Sequence, residues 1–347
     1  MNYQHFLLIK FGLEKYFCLL YRFQLRIVTS YRTDMRKTIV ILLVLITANQ
    51  AFSQQDPQLS FNTFNHLAIN PGFAGLNQAI CVSAINRNQW MGFEGHPLTT
   101  TFAAHMPISQ INSGVGINII QDKLGFNKDF HLNLAYSYHL AIGDGLLGLG
   151  LGLGMMQKAF DAQDLQSPES LVDGSNVYLD PAIPHSESKI VLDANFGMFY
   201  RAKDLYIGLS STHLTEPQLK YEDGKNPFVR RHYYFTAAYF WQLPDPQFEI
   251  RPSVFLKYDG ATAQYDINAI LFYNKQFWGG ATYRIGDAVT AMIGYNTQMD
   301  LGFGLAYDFT TSSLRQYEQG SLELLIRYCF KISKSKTTNS YKSVRFL

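Results

Sequence analysis

The chain has 347 residues, 16% of them charged against 15% aromatic, with a formal net charge of +2. Charged residues fall well below the roughly one quarter found in ordinary globular chains, and a mean hydropathy of −0.07 excludes a bundle of membrane-spanning helices. Nor is there a case for nucleic-acid binding from charge. Residues 1–53 hold seven Lys/Arg and two acids, so the remainder counts 22 Lys/Arg against 25 acids and is net −3.

In chain order, Met35-Arg36-Lys37 is followed by an apolar run from Thr38 to Thr47 and by Ala51-Phe52-Ser53. A basic head, a short apolar stretch and small residues two apart are the parts of a secretory signal peptide, and the apolar run is too short to cross a bilayer as a helix. The sequence thus predicts an upstream extension over 1–34, a leader over 35–53 and a mature start near Gln54.

Residues 54–78 read as an irregular segment that either plugs a lumen or docks in the periplasm. From Ile80 to Phe330 the text turns to alternation. Leu147, Leu149, Leu151, Leu153 and Met155 oppose Gly148, Gly150, Gly152 and Gly154. The same alternation sets Phe130, Leu132, Leu134, Tyr136, Tyr138 and Leu140 against His131, Asn133, Ala135, Ser137 and His139. Leu301, Phe303, Leu305, Tyr307 and Phe309 oppose Gly302, Gly304, Ala306 and Asp308, and Leu322, Leu324, Ile326, Tyr328 and Phe330 oppose Glu323, Leu325, Arg327 and Cys329. A period of two is the strand period. With one greasy and one small or polar face on nearly every segment, and no helices left to cover either, the pattern fits an all-β protein: a transmembrane antiparallel β-barrel of about 14 strands over 79–330. Ile270 and Phe272 break the pattern by falling on the side of Asp266 and Asn268, as happens where something fills the lumen. Tyr233, Tyr234, Tyr239 and Trp241 are candidates for an aromatic girdle.

Every second connection is tight (107–112, 141–144, 202–203, 243–247, 275–276 and 297–299). The other series includes 158–189, 214–231 and 310–320. Outer-membrane barrels carry short periplasmic turns and longer outer loops, which predicts both chain ends in the periplasm. After the last strand comes a basic tail over 331–347 with Lys331, Lys334, Lys336, Lys342 and Arg345, read as solvated or as a periplasmic contact for a partner or anionic lipid. Cys81 and Cys329 lie on the first and last strands, which a closed barrel makes neighbours. A disulfide there is open in an oxidising compartment, but pairing demands a specific separation, and two unpaired residues are the default expectation.

Chemistry is sparse. The Gly-Leu-Gly run lies inside a strand and precedes no helix, so it is no phosphate loop; its glycines read as lumen positions of close backbone approach. The nine His show no metal-ligand spacing. Ser137 and His139 share a face, but no more than many pairs would in a Ser-rich lumen. The expectation is a non-enzymatic protein with no cofactor and no metal. On faces alone, Leu151→Arg should be damaging and Gly150→Ser mild.

Two runs carry the most specific text. Asn70-Pro71-Gly72-Phe73-Ala74-Gly75 precedes the first strand; Arg87, Gln89, Trp90, Gly92, Pro97 and Thr99 mark the first hairpin, with Pro107 at its end. Together they resemble the PorP/SprF family of the type IX secretion system of Bacteroidetes. The resemblance implies a non-enzymatic outer-membrane component that assists export or surface anchoring of C-terminally tagged substrates such as gliding adhesins. It also implies partners: outer-membrane lipids, periplasmic ring and motor proteins, and the secreted substrates. Asn70, Pro71, Gly72, Phe73, Gly75, Arg87, Gln89, Trp90, Gly92 and Pro97 become the candidate motif and partner-contact residues. The long loop 158–189 is a candidate cargo surface. The alternative is an outer-membrane channel for small solutes.

Overall fold

In the computed structural model, residues 56–160, 186–220 and 228–331 are described. The leader, most of the 158–189 loop and the basic tail beyond Lys331 lie outside them.

Fourteen antiparallel strands follow one another around a ring: β1 (Ala79–Asn88), β2 (Leu98–Ile108), β3 (Ser113–Leu124), β4 (Asn127–Ile142), β5 (Gly145–Phe160), β6 (Glu187–Arg201), β7 (Leu205–Thr212), β8 (His232–Tyr239, continued by Trp241–Gln242), β9 (Phe248–Tyr258), β10 (Ala263–Tyr273), β11 (Phe277–Arg284), β12 (Ala288–Asn296), β13 (Leu301–Thr310) and β14 (Ser321–Lys331). Each pairs with its sequence neighbours, and β14 pairs back onto β1 over the whole length of β1, so the sheet closes. Closure leaves no open edge, the condition for a sheet in lipid. Among the described residues no helix is long and apolar enough to cross a membrane.

The faces follow the alternation in the sequence. Leu134, Tyr136, Leu151, Leu153, Phe303 and Phe309 point out and are exposed, while Ala135, Ser137, Asp308 and Glu323 point in and are buried. Tyr233, Tyr239 and Trp241 stand on the outer face. Tyr234 does not belong with them: one residue out of phase, it turns into the lumen and is buried, which removes it from the girdle.

Cys81 and Cys329 face each other in the β1–β14 register and are joined by a disulfide across the seam. That corrects the expectation of two unpaired residues. Each residue lies at a directly opposed ladder position with its Cα atoms 4.1 Å apart, a juxtaposition that the two separate positions in the sequence do not reveal.

Asp56–Gln78 is the second element of the fold. It runs inside the ring as three short 3₁₀ turns (Asn62–Phe64, His66–Ala68, Pro71–Phe73) and enters β1 at the tight-turn mouth. Leu67, Phe73, Ala74 and Leu76 pack on Ala103, Ala135, Phe199, Tyr206 and Ala238. Phe61 packs on Ile85, Ile270, Phe272, Trp278, Met292, Ala306 and Leu325. The two lumen-facing apolar residues of β10 therefore serve a core between wall and threaded segment.

Candidate functional site

The threaded segment is held at three levels, each built from strand positions that the period of two turns inward.

At the level of the Asn70–Gly75 run, the wall is stripped to backbone. A Cβ on Gly148 would lie 2.1 Å from the Gly72 carbonyl oxygen, one on Gly150 2.2 Å from the Gly72 nitrogen, and one on Gly114 2.2 Å from the Ala74 oxygen. No other residue fits there, which accounts for the small face of the Gly-Leu-Gly strand. Asn70 caps the Pro71–Phe73 turn by accepting from the Gly72 N–H at 2.9 Å. Its amide donates to the carbonyls of Met198 and Leu209 at 3.0 and 3.1 Å. Phe73 sits edge-on among His66, His105 and Phe199. Gly75 has φ +75°, a conformation few side chains tolerate. Ser137 donates to the Gly72 carbonyl, and His139 Nε2 lies 2.9 Å from that of Ala74. The Ser137/His139 pair is thus spent on holding the segment.

Nearer the long-loop mouth lies a buried charge network. Arg87 donates to Glu323 at 2.9 Å, to Asp308 at 2.7 Å and to Ser60 Oγ at 2.9 Å. Arg284 reaches Asp308 at 3.1 Å and Asp266 at 3.3 Å. Glu323 accepts the backbone N–H groups of Ser60 and Phe61 at 2.7 and 2.9 Å. Asp266 accepts from Gln58 and Asn62, both at 3.2 Å. Five charged side chains, all 1% exposed or less, thereby bind segment to wall. Charges this deep require such complete pairing.

At the same mouth, Asp56 ends in a second cluster. His213, just past β7, lies between Asp56 (2.9 Å from Nε2) and Asp193 (2.6 Å from Nδ1). Tyr234 donates to Asp56 at 2.6 Å and Lys257 to its carbonyl at 2.7 Å. Burial works against a charged ring, but the two flanking carboxylates outweigh it and push His213 up to about 10. For Asp56 burial likewise opposes charge, and His213 and His232 overcome it, holding the carboxyl well below the usual range. Asp56, His213 and His232 stand close enough to share a cation. Yet Asp56 and His213 already bond each other, and His232 Nε2 accepts the Asp56 N–H at 3.3 Å. The cluster is complete as a polar clamp. Beneath it a cavity of ≈ 80 Å³ is lined by Asn118, His131, Asn133 and Asn195.

The candidate residues divide accordingly. Asn70, Pro71, Gly72, Phe73 and Gly75 are buried in the lumen, as is Arg87, which points inward and away from the first connection. Pro97 is buried at the start of β2, Gln89 and Trp90 are half-buried, and Gly92 is exposed. The first connection packs on the last: Met91 N–H donates to Gly320 O at 2.8 Å, Gln319 N–H to Met91 O at 2.6 Å, and Trp90 N–H to Ser321 Oγ at 3.0 Å. Sequence reasoning missed the partners of Arg87 and the whole Asp56–His213 clamp. The signal available was carboxylates at in-facing strand positions (Asp193, Asp266, Asp308, Glu323), which need cations from elsewhere in the chain.

A family model described as type IX secretion system membrane protein PorP/SprF matches residues 51–328. No curated protein matches the chain. Among solved structures it is similar to the outer-membrane protein Omp33 of Acinetobacter baumannii, at 7% identity over 73% of this chain and 98% of that one, with a TM-score of 0.42. It is also similar to the CymD monoaromatic hydrocarbon channel (11%, 77% and 92%, TM-score 0.45). A third is the toluene transporter TbuX of Ralstonia pickettii (11%, 74% and 88%, TM-score 0.43).

Proposed function

The chain belongs to the PorP/SprF family of type IX secretion system membrane proteins, and from that membership we propose that it acts as a closed outer-membrane adapter, without catalysis, assisting export or surface anchoring of C-terminally tagged substrates such as gliding adhesins. The observation that carries this over a solute channel is the threaded segment itself. Residues 56–78 are bonded to the wall from Asp56 at one mouth to Gly75 near the other, through Glu323, Asp266, Asp308 and the glycine face of β5. A diffusion channel requires a continuous open path, and here the wall has given up side chains to make room for backbone.

In this reading the tight-turn mouth faces the periplasm and the secretion machinery, and the long connections face the substrate. Leader removal near Gln54 then puts the new amino terminus two residues from Asp56, at the long-loop mouth, so only the carboxyl end faces the periplasm. That departs from the expectation of both ends there, because the threaded segment crosses the lumen before it enters β1. The motif residues Asn70 to Gly75 and Arg87 hold the plug, while Gln89, Trp90 and Gly92 shape the outer surface.

The test pairs two measurements. Purified protein in planar bilayers should show no steady conductance, and deletion of its gene should impair display of tagged substrates. Steady conductance from the intact chain, or normal display in the deletion strain, would overturn the adapter reading.

A further inference from the structure

Below the plug, at the tight-turn mouth, the lumen widens into a cavity of ≈ 630 Å³. Among the described residues its charged lining is one-sided: Arg201, Arg251, Lys275 and Arg327 face it with a single carboxylate, Asp300. Arg251 pairs with Glu249 two residues away on its own strand. Arg201 donates to the neutral Asn77 side chain, and Arg327 to Asn296 Oδ1 at 3.0 Å. Among the described residues neither Arg201 nor Arg327 has a carboxylate within ion-pair distance; the ion pairs found elsewhere in the barrel pass them by.

These guanidiniums are also pre-oriented. Arg251 lies 3.9 Å from the centre of the Phe272 ring and 4.8 Å from that of Phe240, and Arg327 lies 4.9 Å from that of Phe64. Rings cover the faces, and the N–H edges, of which Arg251 spends one on Glu249 and Arg327 one on Asn296, keep further donors for carboxylate recognition. His66 Nδ1, on the plug and facing the same cavity, is buried without a hydrogen-bond partner. Cations in so confined a space are costly unless an anion joins them.

We propose that this vestibule binds an acidic peptide segment of a partner protein, entering through the tight-turn mouth, with its carboxylates paired to Arg201, Arg251 and Arg327. Two features favour a peptide over a small anion. The volume is that of a site for several residues rather than one ion. The guanidiniums also come from three separate strands, β6, β9 and β14, and so offer a chain of carboxylates several points of attachment around the ring. The chain leaves β14 at this mouth with Lys331, Lys334, Lys336, Lys342 and Arg345 and no acid over 331–347, which adds attraction for an acidic partner. Of the acids on the tight turns, Asp144, Asp204 and Asp245 belong to the β4–β5, β6–β7 and β8–β9 connections, and Asp300, which lines the cavity, belongs to the β12–β13 connection, where the four lining cations outnumber it. The site is a property of the barrel and does not depend on the secretion role.

The test uses the full chain in neutral detergent and fluorescent hexaglutamate, with hexaglutamine as the uncharged control. Fluorescence anisotropy should show hexaglutamate binding at least about tenfold tighter, weakening as salt rises. R201Q/R327Q should lose at least about tenfold of that affinity with an unchanged unfolding midpoint. R201K/R327K, which keeps the charge and loses the fork, should fall between. Equal binding of the two peptides, or unaltered binding by either double variant, overturns the proposal. Displacement of the peptide by inorganic phosphate at equal concentration would replace it with a small-anion site.

Discussion

Arg87 and Glu323 stand directly opposite each other where the first strand meets the last, with Nη1 and Oε2 2.9 Å apart and both side chains out of water. The pair closes the barrel seam. The same carboxylate also accepts two backbone N–H groups of the threaded segment, so closure and plugging share one residue.

Arg87→Ala should therefore be severe. It leaves Glu323 buried without its cation and Asp308 with Arg284 alone, a class of change that costs about 3–5 kcal/mol. Arg87→Met with Glu323→Met should be milder at the seam while still releasing Ser60 and Phe61. Urea unfolding in detergent separates the two, and protease access to residues 56–78 reports the plug.

Gly150 and Leu151 are adjacent and fail in different ways. Leu151 is 62% exposed on the outer face, and Leu151→Arg should cost about 2–4 kcal/mol by placing a cation in lipid. Read from faces alone, Gly150→Ser looks mild. The structure reverses that: a Cβ there meets the Pro71 carbonyl carbon at 2.3 Å and the Gly72 nitrogen at 2.2 Å, all backbone. Overpacking of this kind costs about 1–3 kcal/mol. Gly150→Ala should keep a heat-modifiable barrel yet render 56–78 sensitive to protease, whereas Leu151→Arg should lower insertion yield.

The Asp56–His213 clamp predicts a pH window. His213 has its affinity for a proton raised by folding, so its contribution is complete below about pH 6.5 and is lost as pH rises through about 10. Asp56 has its pKa depressed, so its contribution is present above about pH 4 and is lost as pH falls through the lower folded value. The tether of the segment's start should be firmest near pH 4 to 6.5 and weaken progressively above it. Hydrogen exchange across 56–60 measures this. In His213→Asn the alkaline loosening should disappear; a profile identical to the unaltered protein's would show that the ring does not set it.

The disulfide offers a covalent test of closure. Cys81→Ser with Cys329→Ser should lower stability by about 2–5 kcal/mol, since the bridge joins positions far apart in the chain. The intact mass of the untreated protein should be two hydrogens below that of the reduced protein, and reductant should shift the urea midpoint of the unaltered protein but not of the double variant.

How much of this was legible follows from the period of two. Alternation over Leu147–Met155, Phe130–Leu140 and Leu301–Phe309 determined which side of each strand meets lipid, because a strand has only two faces and a membrane permits only one to be apolar throughout. The sorting of tight and long connections determined an even, up-and-down ring, and the Asn70–Gly75 run with the Arg87–Pro97 hairpin pointed to the family. None of these needs a partner residue to be read. The pairings do. Cys81 and Cys329 are 248 residues apart in sequence, and Arg87 and Glu323 are 236 apart. Whether such residues bond is decided by ladder register across the closing seam, which local periodicity does not encode. The route of 56–78 was likewise decided only in three dimensions. Its irregular text has no period, and its path is set by where the wall lacks side chains and where Glu323, Asp266 and His213 offer charge.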